Sequence, residues 1–416
     1  MYNPIYNIKE FRNPLIILNI RKELWLFMKI FNYEHNEDII SELKDYTKIY
    51  YEQLKEHSLI NKITDRSGRE DNFAENRYLY FDIETTGLSA RNSTLYLIGA
   101  LWIDKGIIHI RQWFNDNGYS EAELISSFNE FCADFTHLVH FNGATFDVPY
   151  IKEKSKKHSV TTNNIEKLIQ LDIFKEIRSY KNLLGLDNVK QVTIEKYLGL
   201  QRKDTYSGGE LINVYQRYVA RPDNAKEHLL LLHNHDDLLG MPAVSNILRY
   251  KALFEHPELT VNNIHYNNAE HNLTIDITLF EYCSLPKRYI HTGKNGVYIN
   301  AIDNSATLII PVIQDTLKHY FKDYKNYYYL PKEDMAIHKS VASYVDPENR
   351  EKATKSNCYI SKNDSYIICP DNEFSDIFQK DNKDKICYRT LESLINDSIT
   401  NQNEYVKKLI EKRFIV

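Results

Sequence analysis

Hydrophobic and polar positions change their period twice along this chain, and each change marks a different kind of structure. Over residues 1–76, charges of both signs surround apolar residues at helical spacing. Ile39, Ile40, Leu43, Tyr46, Ile49 and Tyr50 in EDIISELKDYTKIYYEQLKEH predict a helical N-terminal region. The polar run TDRSGREDNFAEN at 64–76 predicts a linker. From 78 to about 250 the pattern becomes short apolar runs separated by amphipathic stretches. A strand at 78–84 precedes TLYLIGALWI (94–103) and GIIHIRQWF (106–114), which form a hairpin around the turn DKG. SEAELISSFNEFCADF (120–135) is a helix with Ser120 as its N-cap, HLVHFNG (137–143) a short buried strand, and DVPYIKEKSKK from 147 the next helix. LDIF at 171–174 supplies a fifth strand. The stretch 221–253 is a long helix capped by Asp223 and disturbed at Gly240 and Pro242. Three strands, helix, strand, helix, strand, helix describe an α/β domain over 77–250, with a mixed five-stranded sheet and helices on both faces.

Beyond 251 the pattern turns to alternation. LTVNNIHY, NLTIDITLF, RYIHTG, GVYINAI and ATLIIPVI are short strands between Asn- and Gly-rich turns, and helices follow at QDTLKHYFKDY (314–324) and MAIHKSVASYV (335–345). Residues 251–416 therefore read as a smaller β-rich α+β region whose function the sequence leaves open.

Composition changes this picture little. The chain has 416 residues, enough for about two or three domains. With 43% hydrophobic residues and a net charge of −5 it can build a sizeable core but has no global pull toward nucleic acid, so any such binding needs a local patch. Five cysteines at scattered positions contain no C-x-x-C pair, which argues against a disulfide framework and a zinc site. No apolar run reaches membrane-span length, and PLIILNI at 14–20 is short and flanked by Arg12 and Arg21. These features predict a cytoplasmic protein that does not enter a membrane. Met28 is a second candidate start of translation.

The candidate chemistry begins in YLYFDIETTGL (78–88), where two acids interrupt a core strand. Side chains at i and i+2 share a face, so Asp82 and Glu84 project together near the strand's end, while Phe81 and Ile83 take the other face. Paired carboxylates repel unless a proton or cation lies between them, and a hard divalent ion suits oxygen ligands; the alternative is an edge strand with its acids in water. In HFNGATFDVPYI (140–151), Asp147 stands just past a buried strand at a helix start, available either to a metal or as a helix cap. In LHNHDDLLGM (232–241), His233 and Asp237 lie four apart on one helix face, with Asp236 pointing elsewhere.

Together Asp82, Glu84, Asp147 and Asp237 resemble, in order and context, the DEDD superfamily of 3′–5′ exonucleases on a ribonuclease H-like fold. FDIETTGL is similar to its first motif, N-G-x-x-F-D at 142–147 to its second, and H-x-x-x-D at 233–237 to its third. The third departs from the pattern, because His233 occupies the position of a tyrosine; the histidine subclass places its His one residue further from the Asp. The chain also resembles the bacterial YprB-type ribonuclease H-like domain family in DTYSGGELINVYQRY (204–218) and in LDIF around Asp172. The resemblance covers about 78–250 and implies two Mg²⁺ or Mn²⁺ ions, held by Asp82, Glu84, Asp147 and Asp237, with Asp82 between them. It implies that Glu84 also helps hold the attacking water and that His233 deprotonates or orients it. Asp172 is open between a substrate contact and a strand-end cap.

For nucleic-acid contact, the basic run Lys152, Lys154, Lys156, Lys157 and His158 follows the second motif and either tracks phosphates or forms a solvated helix face. Thr85, Asn142 and Phe146 are further candidates within the motifs. Tyr324, Tyr327, Tyr328 and Tyr329, interleaved with lysines in FKDYKNYYYLPKED (321–334), either stack bases or build a strand core. The expected activity is metal-dependent 3′–5′ exonucleolytic hydrolysis of single-stranded DNA or RNA ends. Its rivals are a non-catalytic nucleic-acid-binding module with a relic metal site and a proofreading subunit. Protein partners stay open.

Overall fold

The inward rows of the apolar runs pair as a six-stranded sheet in the computed structural model of the protein, which describes residues 28–36, 77–200, 206–293, 295–371, 374 and 376–412. The strands are β1 (Lys29–Asn36), β2 (Tyr78–Thr85), β3 (Leu95–Asp104), β4 (Ile107–Phe114), β5 (His137–His140) and β6 (Ile169–Asp172), in the order β1-β4-β3-β2-β5-β6. β2, β5 and β6 run parallel to one another, and the other pairings are antiparallel. One strand more is present than the five the sequence pattern predicts. β1 comes from the region read as helical and pairs along the whole of β4, from Lys29 opposite Phe114 to Asn36 opposite Ile107. The helical pattern at 37–57 and the linker at 64–76 lie outside the described residues.

Helices cover both faces. Leu124, Ile125 and Phe128 of α1 (Glu121–Phe131), with Tyr150 and Ile151 of α2 (Asp147–His158), pack on Leu79, Phe81, Ile83 and Trp113. On the opposite face Phe31, Tyr96, Leu97 and Phe114 meet α4 (Gly208–Ala220) and α5 (Asn224–Val244); between α2 and these lies α3 (Gln191–Leu198). Asp223 caps α5 by accepting the Lys226 N–H at 2.9 Å. The disturbance expected at Gly240 and Pro242 does not occur: α5 continues to Val244 before a 3₁₀ turn at Ser245–Ile247. Gly240 is a point of close approach instead, since a Cβ there would lie 2.6 Å from Glu195 Oε1 of α3.

Packing divides the described chain between Leu248 and Arg249 into two compact units. The second contains all five strands expected from its alternation, as an antiparallel sheet ordered β7-β8-β11-β10-β9: β7 (Leu259–Asn267), β8 (Asn272–Leu279), β9 (Leu285–Thr292), β10 (Tyr298–Asp303) and β11 (Ser305–Pro311). The two expected helices are corrected. Residues 314–324 are mostly β12 (Ile313–Tyr320), held by an eight-residue antiparallel ladder to the strand Tyr359–Cys369. Residues 335–345 contain a strand, Met335–His338, and a helix of one turn, Lys339–Ala342. In both, cross-strand pairing overrides local helical preference. Among the described residues no helix is long and apolar enough to cross a membrane.

Candidate active site

Alternation along β2 puts Asp82 and Glu84 on one face, as the sequence predicts, and α5 packs against that strand. A β-bulge follows at the end of β2, where Glu84 pairs with Leu97 but Thr85 with Leu95. The extra residue, Tyr96, turns to the same face and donates its hydroxyl to Glu84 Oε2 at 3.3 Å. Sequence reasoning missed this residue, because bulges leave no mark in a run as uniformly apolar as TLYLIGALWI.

Asp147 opens α2 and is buried. Its Oδ1 accepts the Ile83 N–H at 3.3 Å, which ties the second motif to the first strand. The loop before it is shaped by Asp172, whose carboxylate accepts N–H groups of Asn142 (2.9 Å), Ala144 (3.2 Å) and Lys175 (3.2 Å). Asp172 is therefore a cap for this loop and for the turn after β6. Asn142 takes the left-handed conformation, φ 64°, which asparagine tolerates better than most residues. Gly143 is required next to it, since a Cβ would lie 2.7 Å from the buried His140 ring.

On α5, His233 and Asp237 lie one turn apart and both face the end of β2. His233 Nε2 is 3.6 Å from Glu84 Oε1 and 3.7 Å from Asp237 Oδ2. These separations are long for direct hydrogen bonds and leave space for a shared ion or water. Ligand atoms of Glu84, His233 and Asp237 all fall within 4.8 Å of one another. Asp236 turns away, toward His235 Nδ1 at 3.5 Å, and His235 meets His35 of β1 at 3.2 Å. Asn234, between the two histidines, is fully buried and donates to Asp82 Oδ2 at 2.9 Å. Sequence reasoning missed Asn234, because its partner Asp82 lies about 150 residues earlier in the chain.

Electrostatics mark the cluster. Burial, then Asp237, Asp147 and Glu84, hold the Asp82 carboxyl well above the usual carboxylate range, while the Asn234 amide works against them. Burial pushes Glu84 up to about 7; His233 and the Tyr96 hydroxyl oppose the shift, and Asp237 and Asp147 add to it. Burial, with Asp172 and Asp237, raises Asp147 to about 7 against the hydrogen bonds of its own N–H and that of Ile83. Oxygens that repel one another in a dry pocket, beside one imidazole, are a donor set suited to hard divalent cations.

The basic run separates. Lys154, expected to reach phosphate, is corrected: it is buried, its Nζ 2.6 Å from Glu121 Oε1 and bonded to the Ser93 carbonyl. An ammonium held this way is a structural ion pair between α1 and α2. Lys152, Lys156 and Lys157 are exposed, Lys152 lying 3.4 Å from Glu166, while His158 bonds Glu121 at 2.8 Å. Thr85 donates to the Gly87 carbonyl at 3.0 Å, and Phe146 packs on Tyr150 with ring centroids 5.5 Å apart. In the second unit, Tyr324, Tyr327 and Tyr329 pack around buried Ala336, Ala353 and Cys358, while the Arg350 guanidinium lies over the Tyr328 ring. Three of the four tyrosines thus serve a small core.

Residues 79–249 match the family described as the RNase_H superfamily. The Bacillus subtilis (strain 168) protein YprB is 26% identical over 230 residues, 54% of this chain and 52% of YprB. The PolC-type DNA polymerase III of Caldanaerobacter subterraneus subsp. tengcongensis is 29% identical over 140 residues, 28% of this chain and 10% of that protein. The chain thus spans about half the length of the first relative and a tenth of the second. Among solved structures, E. coli exonuclease I in complex with a dT13 oligonucleotide is similar with a TM-score of 0.31 at 10% identity, over 49% of this chain and 55% of that one. Residues 79–249 thus carry the match to the RNase_H superfamily, and the chain is similar to YprB over about half of its length.

Proposed function

We propose that the protein is a metal-dependent nuclease, and more narrowly a 3′–5′ exonuclease of the DEDD type acting on single-stranded ends of DNA or RNA. The observation that carries this reading is the convergence of Glu84, His233 and Asp237, within 4.8 Å, beside Asp82 and Asp147. A buried set of carboxylates that raise one another's pKa is unfavourable on its own and becomes favourable around divalent cations, so these residues fit Mg²⁺ or Mn²⁺. Asp82, Glu84, Asp147 and Asp237 would hold two ions, which when bound supply an acidic water and stabilise the leaving 3′ oxygen.

The chain's own groups do the rest. His233, 3.6 Å from Glu84 and 3.7 Å from Asp237, is within one water of both and takes the proton of the attacking water. A neutral imidazole accepts a proton at neutral pH, where a tyrosine in this position could only orient. Thr85, Asn142 and Phe146, which stand within the first two motifs, are the candidate contacts to the substrate strand, and the exposed Lys156 and Lys157 of α2 the candidate contacts to its phosphates. Five free, buried thiols suit a reducing compartment, in keeping with a cytoplasmic enzyme.

The test is incubation of the purified full chain with end-labelled DNA and RNA, single- and double-stranded, in Mn²⁺, Mg²⁺ or EDTA. The expected result is a metal-dependent ladder that shortens from the 3′ end of single strands. Asp82→Ala and Asp237→Ala should each slow it by roughly a thousandfold or more, since a metal ion supplies several kcal/mol to the transition state. Metal-independent retention of labelled strands without cleavage would favour a binding module instead.

A further inference from the structure

Asp82 of β2, Gly99 of β3 and Gln112 of β4 stand directly opposite one another in the sheet, forming one cross-strand row. Directly opposite residues share a face, and adjacent strands lie about 4.8 Å apart, so Asp82 and Gln112 are separated by roughly 10 Å with only a glycine between them. The missing side chain leaves a notch, and α5 fills it with Asn234. A Cβ on Gly99 would lie 2.0 Å from Asn234 Oδ1 and 2.6 Å from Leu238 Cδ1. The Asn234 amide therefore spans the notch, with Oδ1 accepting from Gln112 Nε2 at 2.8 Å and Nδ2 donating to Asp82 Oδ2 at 2.9 Å.

The polarity of this chain of hydrogen bonds has a fixed origin. Gln112 Nε2 also donates to the Leu231 main-chain carbonyl at 2.9 Å. A carbonyl can only accept, so the Gln112 group facing it must be the amide nitrogen. Its second hydrogen then meets Asn234, so the Asn234 group facing Gln112 must be the oxygen and the group facing Asp82 the nitrogen. The opposite orientation would set two carbonyl oxygens against each other. The present one is kept even though Gln112 Oε1 has no partner among the described residues. Gln112 and Asn234 are both fully buried, so no solvent competes.

We propose that Gln112 and Asn234 are positioning residues: a two-amide relay, anchored on the Leu231 carbonyl and seated in the Gly99 notch, that fixes Asp82 in the orientation in which it takes metal. The relay occupies one lone pair of Oδ2 and holds the carboxylate plane, leaving the remaining oxygen positions turned to the cluster. It rests on the reading of Asp82 as a metal ligand under the proposed function, and it adds two residues that would not themselves touch the metal. Partners of this kind behind a ligand commonly alter metal affinity by about 10–100-fold when removed.

The test is calorimetric Mn²⁺ binding to the full chain, with thermal melting to establish folding and cleavage of labelled strands measured in parallel. Asn234→Leu fills the notch but removes the donor, and should weaken Mn²⁺ about 10–100-fold. Gln112→Met removes the anchor and should weaken it less. Gln112→Glu can no longer donate to both Leu231 and Asn234; it accepts from Nδ2, reverses the Asn234 amide and sets Oδ1 against Asp82. It should therefore bind Mn²⁺ more weakly than Gln112→Met. A purely structural role would lower the melting temperature of all three while the folded proteins bind like wild type. That result overturns the proposal, as does Gln112→Glu binding no more weakly than Gln112→Met. A wild-type chain that binds Mn²⁺ in this variant order but cleaves neither nucleic acid would refute the nuclease reading and uphold the relay. A wild-type chain that binds no Mn²⁺ would overturn both.

Discussion

Glu84 and Asp147 each carry a carboxyl whose pKa, in the absence of metal, is pushed to about 7 by burial. A folded-state pKa above the unfolded value makes the protonated form part of the fold's stability. That stability is fully present below the unfolded pKa, near 4, and is lost as pH rises through 7. Metal-free protein should accordingly melt at higher temperature at pH 5 than at pH 8. Asp147→Asn, which keeps an oxygen for the Ile83 N–H, should raise the melting temperature at pH 8, with the gain fading toward pH 5. A melting temperature of Asp147→Asn equal to wild type at pH 8 in EDTA would show that the repulsion is relieved without metal. At this scale the sequence was most legible where residue type and spacing carry the chemistry together: Asp82 with Glu84, and His233 with Asp237. It was least legible where a distant partner decides. Lys154 reads as a surface cation until Glu121, on another helix, buries it. Gln112 is a polar residue in the inward row of Ile108, Ile110 and Phe114, a signal that was present in GIIHIRQWF but had no partner assigned to it.

At the scale of elements, β2 to β5 and the helices at 121–131 and 147–158 follow from period and punctuation alone, because each buries one face of a short, regular pattern. The fifth strand, read at 171–174, lies at Ile169–Asp172 instead, with Ile173 and Phe174 opening a short helix capped by Asp172. β1 does not follow from the pattern, although KIFNYEHN places Phe31 and Tyr33 two apart as a strand requires. Its neighbours in sequence carry a helical pattern, and its partner, β4, begins about 70 residues later, a pairing no local window contains. The same reason accounts for β12, whose ladder partner is Tyr359–Cys369. If β1 is an integral strand, Phe31, 6% exposed against the helices of that face, is a core residue. Phe31→Ala should then cost about 3 kcal/mol, lowering the calorimetric melting temperature by roughly 10 °C for a unit of this size. An unchanged melt would mean that β1 adds nothing to the sheet. That would also remove the His35–His235 contact from any account of α5.

For the whole molecule, the division between Leu248 and Arg249 has a functional consequence. Asp82, Glu84, Asp147, His233 and Asp237, the Gln112–Asn234 relay, and all six strands of the sheet lie on the N-terminal side of it. The net charge of −5 gives the chain no general affinity for phosphate, so the proposed strand binding would have to come from placed residues, such as Lys156 and Lys157 or groups in the second unit. A chain of residues 28–248 includes β1 as well as the site, and should bind Mn²⁺ with the affinity of the full chain. Kinetics on labelled single strands then separate the contributions of the two units. If the β-rich unit contributes only uniform binding, its removal should raise KM and leave kcat unchanged. An equal fall in kcat and kcat/KM would mean instead that it acts in the transition state. A 28–248 chain with a cooperative melt that takes up no Mn²⁺ would show that residues beyond Leu248 complete the metal site, and the assignment of the four acids as a sufficient set would fall.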